Sequence, residues 1–332
     1  MSDTGPGDTA AWYRRAADDL AGTSDLQTAW ARGIAGDSEI IALIDRLPRE
    51  HRQPSLLFSV MRWLDVAAAP YADVRLWLVE RWPEVESAAR DHLIQTNEPL
   101  RCAPLVAALA RIAGPLALLE LGASAGLCLV PERYSYRFDD EPVLSSGALG
   151  DGAPLLECRT TGDGTAPIAL PEIVWRRGID LAPLSVGDAD DVRWLEACLP
   201  PDRPDRLARL RAACATVQEG PPRIETGDAL DALEAIALDA PSTATLVVIA
   251  LGTLVYLPPA DRSAVLETCA RLGARLVTLE PRSALPEIAE RLAGLTAPDP
   301  TPFVLALDGE PLAYSSPHGD RLSWLTPVSQ PG

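Results

Sequence analysis

Apolar residues recur every three or four positions over the first third of the chain, in Ala11–Leu20, Glu39–Leu47, Ser55–Ala68, Tyr71–Arg81 and Val85–Thr96. That spacing gives a helix one buried stripe. Pro48, Pro54, Pro70, Pro83 and Pro99 lie between these segments, where a residue without an amide hydrogen belongs if each segment starts or ends a helix. No short β-branched run interrupts them. Residues 1–112 are therefore expected to form an all-helical module that covers a substrate site.

From Gly114 the pattern changes. Leu116–Leu121 is a short apolar run ending in the small-residue turn Gly122-Ala123-Ser124-Ala125-Gly126, followed by Leu127–Val130; a fully buried strand passing through a tight turn into a helix has this pattern. The rhythm repeats: Ile173–Ile179 leads to Asp180, Arg223–Glu225 to Gly227-Asp228, Leu246–Ala250 to Gly252-Thr253, and Arg275–Leu279 to Glu280. Helical stretches fill the gaps, in Asp188–Cys198 with Arg203–Val217, then Ala229–Leu238, then Ala260–Leu272. Five β-α units and a mostly parallel α/β sheet follow, within a domain of residues 113–332. At the end, Phe303–Leu307 and Leu322–Leu325 have no helix between them, which predicts an antiparallel hairpin on the sheet edge. Residues 134–171, with Gly147, Gly150, Gly152, Gly162 and Gly164, are expected to be an irregular insertion or a small β-excursion.

Charge and composition narrow the chemistry. The chain has 29 basic and 47 acidic residues, a net charge of −18. With no basic block, neither nucleic acid nor an anionic membrane surface is an expected partner. No lysine occurs, which removes the Gly-Lys-Ser/Thr phosphate loop, Schiff-base chemistry and pyridoxal phosphate enzymes. Six scattered cysteines, Cys102, Cys128, Cys158, Cys198, Cys214 and Cys269, are expected to be reduced and mostly buried. The N-terminus lacks a signal-peptide pattern and no apolar run approaches the ~20 residues of a membrane span, so the expected location is cytoplasmic. His51, His92 and His318 are too few and too dispersed for a histidine metal site, so no bound metal is expected.

The turn after Leu121 supports two chemistries. Glu120-Leu-Gly122-Ala-Ser124-Ala-Gly126 can be a glycine-rich turn that lets a nucleoside cofactor approach the backbone and presents amide donors to it. Gly122-Ala-Ser124-Ala-Gly126 also fits the nucleophile elbow of an α/β-hydrolase, with Ser124, Glu280 and His318 in the right chain order for a triad. A hydrolase elbow follows an inner strand with others before it, whereas this strand is expected to be the first. The plainest alternative is a turn that only packs strand to helix.

Three segments carry a family resemblance: Gln95-Thr-Asn97-Glu98-Pro-Leu-Arg101, Leu119-Glu120-Leu-Gly122-Ala-Ser124-Ala-Gly126-Leu, and Arg176-Arg177-Gly178-Ile-Asp180-Leu-Ala-Pro183-Leu. Over nearly its full length the chain resembles the DUF2332 family, an actinobacterial group of uncharacterised proteins. From about Leu116 to Leu325 it resembles class I S-adenosylmethionine-dependent methyltransferases, whose Rossmann-like sheet ends in a reversed hairpin. The second resemblance implies S-adenosyl-L-methionine as cofactor. Glu120, Gly122, Ser124 and Gly126 would then embrace its methionyl end, with Ser124 where the family has a glycine. Asp180 would accept the ribose hydroxyls and Asp228 the adenine amino group. Because the gap between Gly126 and Asp180 is long, Asp139 or Asp140 is an alternative ribose acid, and both Asp180 and Asp228 could instead cap helices.

The polar segment Gln95–Arg101 has two readings. Asn97 and Pro99 suit a helix start. Alternatively Asn97, Glu98 and Arg101 face a substrate cleft, the arginine gripping a carboxylate. Tyr13, Tyr256 and Trp12 are further pocket candidates. The leading expectation is a small-molecule methyltransferase. The competing one is a methyltransferase-like scaffold that has lost S-adenosylmethionine and either serves other biosynthetic chemistry or joins a protein partner in a complex.

Overall fold

The computed structural model describes residues 8–145, 147, 152–298 and 303–325. The chain divides into two compact units. One comprises the residues up to Thr96 together with Gly187–Leu210; the other comprises Asn97–Val186 and the residues from Arg211 on.

The first unit holds α1 (Asp8–Leu20), α2 (Asp25–Ala35), α3 (Ser38–Ile44), α4 (Pro54–Trp63) and α5 (Tyr71–Asp91), and later in the chain α7 (Ala189–Ala197) and the start of α8 (Pro204–Gln218). Caps start the helices where short polar residues stand. Ser24 Oγ accepts from Gln27 N at the head of α2, and Asp37 Oδ1 accepts from Glu39 N and Ile40 N at the head of α3, satisfying amides that have no partner within a helix. The core gathers Tyr13, Trp30, Ile34 and Phe58, all buried. Tyr13 and Trp30 present ring edges to Phe58, with centroids 6.2 and 5.9 Å away. Two sequence expectations change. α2 occupies a stretch that the apolar spacing passes over. Pro83 lies inside α5 rather than between two helices: Val74, Leu78, Trp82, Val85 and Ala89 form one buried stripe running past it, and their burial outweighs the roughly 3 kcal/mol cost of an interior proline.

The second unit contains α6 (Cys102–Leu109) and a ten-stranded sheet ordered β2-β3-β10-β9-β8-β7-β6-β1-β4-β5. The strands are β1 (Leu116–Leu121), β2 (Ser135–Phe138), β3 (Leu155–Thr161), β4 (Ile173–Asp180), β5 (Arg223–Thr226), β6 (Thr245–Leu251), β7 (Arg275–Pro281), β8 (Phe303–Leu307), β9 (Glu310–Ser315) and β10 (Arg321–Trp324). The five predicted apolar runs are β1, β4, β5, β6 and β7, all parallel to their neighbours in this set. Counted by their own order along the chain they lie 3-2-1-4-5, the doubly wound arrangement. All six residues of the central β1 are buried, as expected of a strand covered on both faces. Leu119, Leu121, Ile179, Val248, Ala250 and Val304 share one core with Leu233 of α9 (Ala229–Ala237), Val265 of α10 (Pro259–Arg271) and Ile288 of α11 (Pro286–Arg291).

Three departures shape the rest. The turn after β1 enters no helix: residues 122–130 form successive turns before the 3₁₀ turn Pro131–Arg133 and then β2. Pro131 stands too soon after the turn for an α-helix to fit between them. The insertion supplies two strands, since β3 pairs parallel with β10 and β2 with β3; Gly150 lies outside the described residues. Gly162 and Gly164 lie against Trp324, where added Cβ atoms would come within 2.7 Å of its carbonyl oxygen and 2.0 Å of its ring. The tail has three strands, because Asp308-Gly309, with φ of 53° and 76°, is a two-residue hairpin turn joining β8 to β9. Pro311, which interrupts the alternation, hides β9 from a pattern reading.

Gly178 of β4 lies against the turn after β1: a Cβ there would sit 2.5 Å from Ala123 Cβ. Gly178→Ala is expected to destabilise the protein by about 1–3 kcal/mol, measured as a lower urea midpoint at unchanged slope. Adding Ala123→Gly should recover part of the loss. An unchanged midpoint in the single variant would contradict this close packing.

Candidate functional site

In open α/β sheets ligands lie beyond the carboxyl ends of the strands, where the strand order reverses. Here that point falls between β1 and β6, which pair side by side, and most of the singled-out residues gather around it.

The turn holds Gly122, Ser124 and Gly126 at φ of 69°, 52° and 73°, with the serine in a region that L residues seldom occupy. Four of its five amides, and that of Leu127 after it, donate within the protein. Gly122 N and Ala123 N donate to Ile179 O at 2.8 and 3.1 Å, and Gly126 N donates to Ala123 O at 2.7 Å. Ser124 N donates to Asp180 Oδ2 at 2.8 Å, and Leu127 N to Asn97 Oδ1 at 3.0 Å. Asn97 Nδ2 donates back to Ala123 O at 3.4 Å, so one side chain spans the turn. The other Asp180 oxygen accepts from Ala182 N at 2.9 Å.

Side chains close the space around the glycines. A Cβ on Gly122 would lie 2.5 Å from Thr253 Oγ1, and one on Gly126 2.5 Å from the Pro222 ring. Thr253 Oγ1 donates to Leu121 O at 2.9 Å, joining the ends of β1 and β6. The segment after β6 is held in turn by Glu280 from β7, which accepts from Thr253 N, Leu254 N and Val255 N at 2.7, 2.8 and 3.2 Å. Burial pushes the Glu280 carboxyl up to about 7, against the pull of these three amides and of Arg101. Arg101, itself buried, donates from Nη1 to Leu251 O at 2.6 Å and from Nε to Pro317 O at 3.0 Å. The guanidinium that would grip a ligand carboxylate is thus engaged by backbone carbonyls. Glu98 Oε1 accepts from Leu100 N at 3.2 Å, the capping arrangement.

Glu120, on the last turn-facing part of β1, differs from its neighbours. It is 2% exposed, and among the described residues its Oε2 has no hydrogen-bond partner; the same holds for Ser124 Oγ. Burial drives the Glu120 carboxyl far above the usual range, nearby Cys128 and Asp180 act the same way, and Arg101 opposes them.

The remaining candidates are more dispersed. Asp228 caps α9, accepting from Leu230 N at 2.8 Å. Asp139 and Asp140 are exposed, and Asp139 accepts from Thr160 N at 2.8 Å. Tyr13 is in the core of the first unit, where burial pushes its phenol well up, and Trp12 is half-buried. Tyr256, 66% exposed, stands beside the Glu280 clamp. No hydrogen bond ties Ser124 Oγ to Glu280 or His318, so the triad contact is not formed. Thr253 is the residue that sequence reasoning missed; its only signal was its place directly after an apolar run.

The sheet and this polar cluster define a mixed α/β protein with its candidate site at the carboxyl edge of parallel strands. The family model described as "Uncharacterized protein conserved in bacteria (DUF2332)" matches residues 10–324, and the chain belongs to that family. A search of curated proteins found no match. Among the described residues no helix is long and apolar enough to cross a membrane.

Glu280 provides a pH test. Its raised pKa means that the folded protein holds the proton more tightly than the unfolded chain. The associated stability is therefore fully present below the ordinary carboxylate range and lost as pH rises through about 7. Thermal midpoints should fall across that interval, and Glu280→Gln should remove this part of the fall. Parallel curves for the two proteins would contradict the assignment.

Proposed function

We propose that this protein is a methyltransferase-like α/β scaffold that works without S-adenosylmethionine and acts on a small molecule through the buried polar cluster at the carboxyl edge of β1, β6 and β7. The observation that carries this reading is the state of the turn amides. A glycine-rich turn serves a nucleoside cofactor by offering unengaged donors and open space. Here Gly122, Ala123, Ser124, Gly126 and Leu127 all donate to protein acceptors, and Thr253 and Pro222 stand against the two glycines. The turn also opens no helix, so the helix-dipole contribution to anion binding is missing. Asp180, matched to the ribose acid, accepts from two backbone amides. Asp228, matched to the adenine acid, caps α9. The residues present do not fit the cofactor.

S-adenosylmethionine-dependent methyl transfer is the second reading. It is favoured by the 3-2-1-4-5 strand order and by an aspartate at the end of the strand beside β1. Calorimetric titration of the full chain with S-adenosylmethionine and S-adenosylhomocysteine separates the two. The proposal expects no saturable heat at ligand concentrations up to about 1 mM, a threshold corresponding to roughly −4 kcal/mol. Saturable binding of either compound, weakened in Asp180→Ala, would replace it with the methyltransferase reading.

A further inference from the structure

An arginine keeps its charge in a protein, so a buried one calls for acceptors and a counter-charge. Arg101 is 8% exposed. Leu251 O accepts from its Nη1 and Pro317 O from its Nε; the two carbonyls fix the guanidinium without neutralising it. Glu120 and Glu280 lie close enough to feel its charge, but among the described residues neither forms an ion pair with it, and Glu280 accepts from three backbone amides instead. Nη2 donates to no acceptor among the described residues and, unlike Glu120 Oε2 and Ser124 Oγ, is not sealed from solvent. The fold brings that nitrogen to the carboxyl edge of the sheet. Gly252, directly after β6, has a φ of 77° and leaves the guanidinium room: a Cβ there would lie 2.8 Å from Nη1 and 3.2 Å from Nη2. Gly319 fits against the backbone of the same arginine, where a Cβ would come within 3.0 Å of Arg101 Cα, and the Phe303 ring centroid lies 5.9 Å from Cζ. The guanidinium is thus held at the end of β6, beside the reversal of strand order where ligands of open α/β sheets lie.

We infer that Arg101, through Nη2, binds a carboxylate of the small molecule on which this protein acts. The inference rests on the reading above of this edge as the working site. A guanidinium presents charge-assisted N–H donors to carboxylate oxygens, and one anionic charge answers one cation. A phosphate dianion suits the place less well, because Glu120 and Glu280 stand nearby and oppose its second charge. An uncharged amide would leave the charge of the arginine unanswered.

The experiment titrates the full chain with sodium acetate, inorganic phosphate and acetamide at constant ionic strength, above the Glu280 titration near 7, following the backbone amide resonances of Gly252 and Thr253. Saturable shifts with acetate are expected, binding at least about fivefold weaker with phosphate, and no saturation with acetamide. Arg101→Met should weaken acetate by at least about tenfold, and Arg101→Lys, which keeps the charge but not the planar fork, by about threefold. Glu280→Gln removes an opposing charge and should tighten acetate by roughly threefold, a change that an arginine serving structure alone would not produce. Where Arg101→Met does not fold, the lysine and glutamine variants decide. The inference is overturned by an absence of acetate saturation, by acetamide or phosphate binding as tightly as acetate, by acetate affinity that Arg101→Met or Arg101→Lys leaves unchanged, or by acetate binding that Glu280→Gln weakens. No nucleoside enters this titration, whereas S-adenosylmethionine binding in the calorimetric one would sink the earlier reading by itself, so the two failures are distinguishable.

Discussion

A buried backbone amide must find an acceptor, and at the carboxyl end of the central strand that requirement is met from inside the protein. Ile179 O takes two amides of the turn, Asp180 a third and Asn97 a fourth. The ends of β1, β4 and β6 are thereby joined, with Thr253 bridging the last gap through Leu121 O. In other parallel sheets this crevice is left open for a ligand's own acceptors. Here the acceptors belong to the chain, and the space beside the glycines is filled by Thr253 and Pro222. What the edge offers a ligand therefore lies in the side chains left unpaired there.

The central sheet was legible because β1 and most of β6 are buried on both faces and so appear as continuous apolar runs; Leu116–Leu121, Ile173–Ile179 and Leu246–Ala250 each became a strand in the expected place. Elements whose signal was broken by a proline were not. α5 continues through Pro83 because one buried stripe runs past it, and β9 carries Pro311 where the pairing with β8 shifts register. The strands of the insertion were hidden for another reason. β2 and β3 take their partners from each other and from β10, more than a hundred residues downstream, and local periodicity holds no trace of that pairing.

The site was legible as a set of residues but not as a set of bonds. Gly122, Ser124 and Gly126 do sit in a left-handed turn at the end of the first strand, and Asn97, Glu98 and Arg101 do lie in the same unit as that turn. Residue types alone leave open whether a carboxylate or an amide faces a ligand or its own backbone. Asp180 and Asp228 accept from backbone amides, and so does Glu280. Glu120 does not, and nothing in its spacing sets it apart from them. Glu120 and Glu280 are equally buried, so the difference lies in which backbone amides each one faces, and that is set by the tertiary fold.

Amide hydrogen exchange, resolved by residue, tests the central claim most directly. Gly122, Ala123, Ser124, Gly126 and Leu127 should be strongly protected in the free protein, at rates that S-adenosylhomocysteine leaves unchanged. Rapid exchange at these positions, with protection appearing only when the nucleoside is added, would contradict the account.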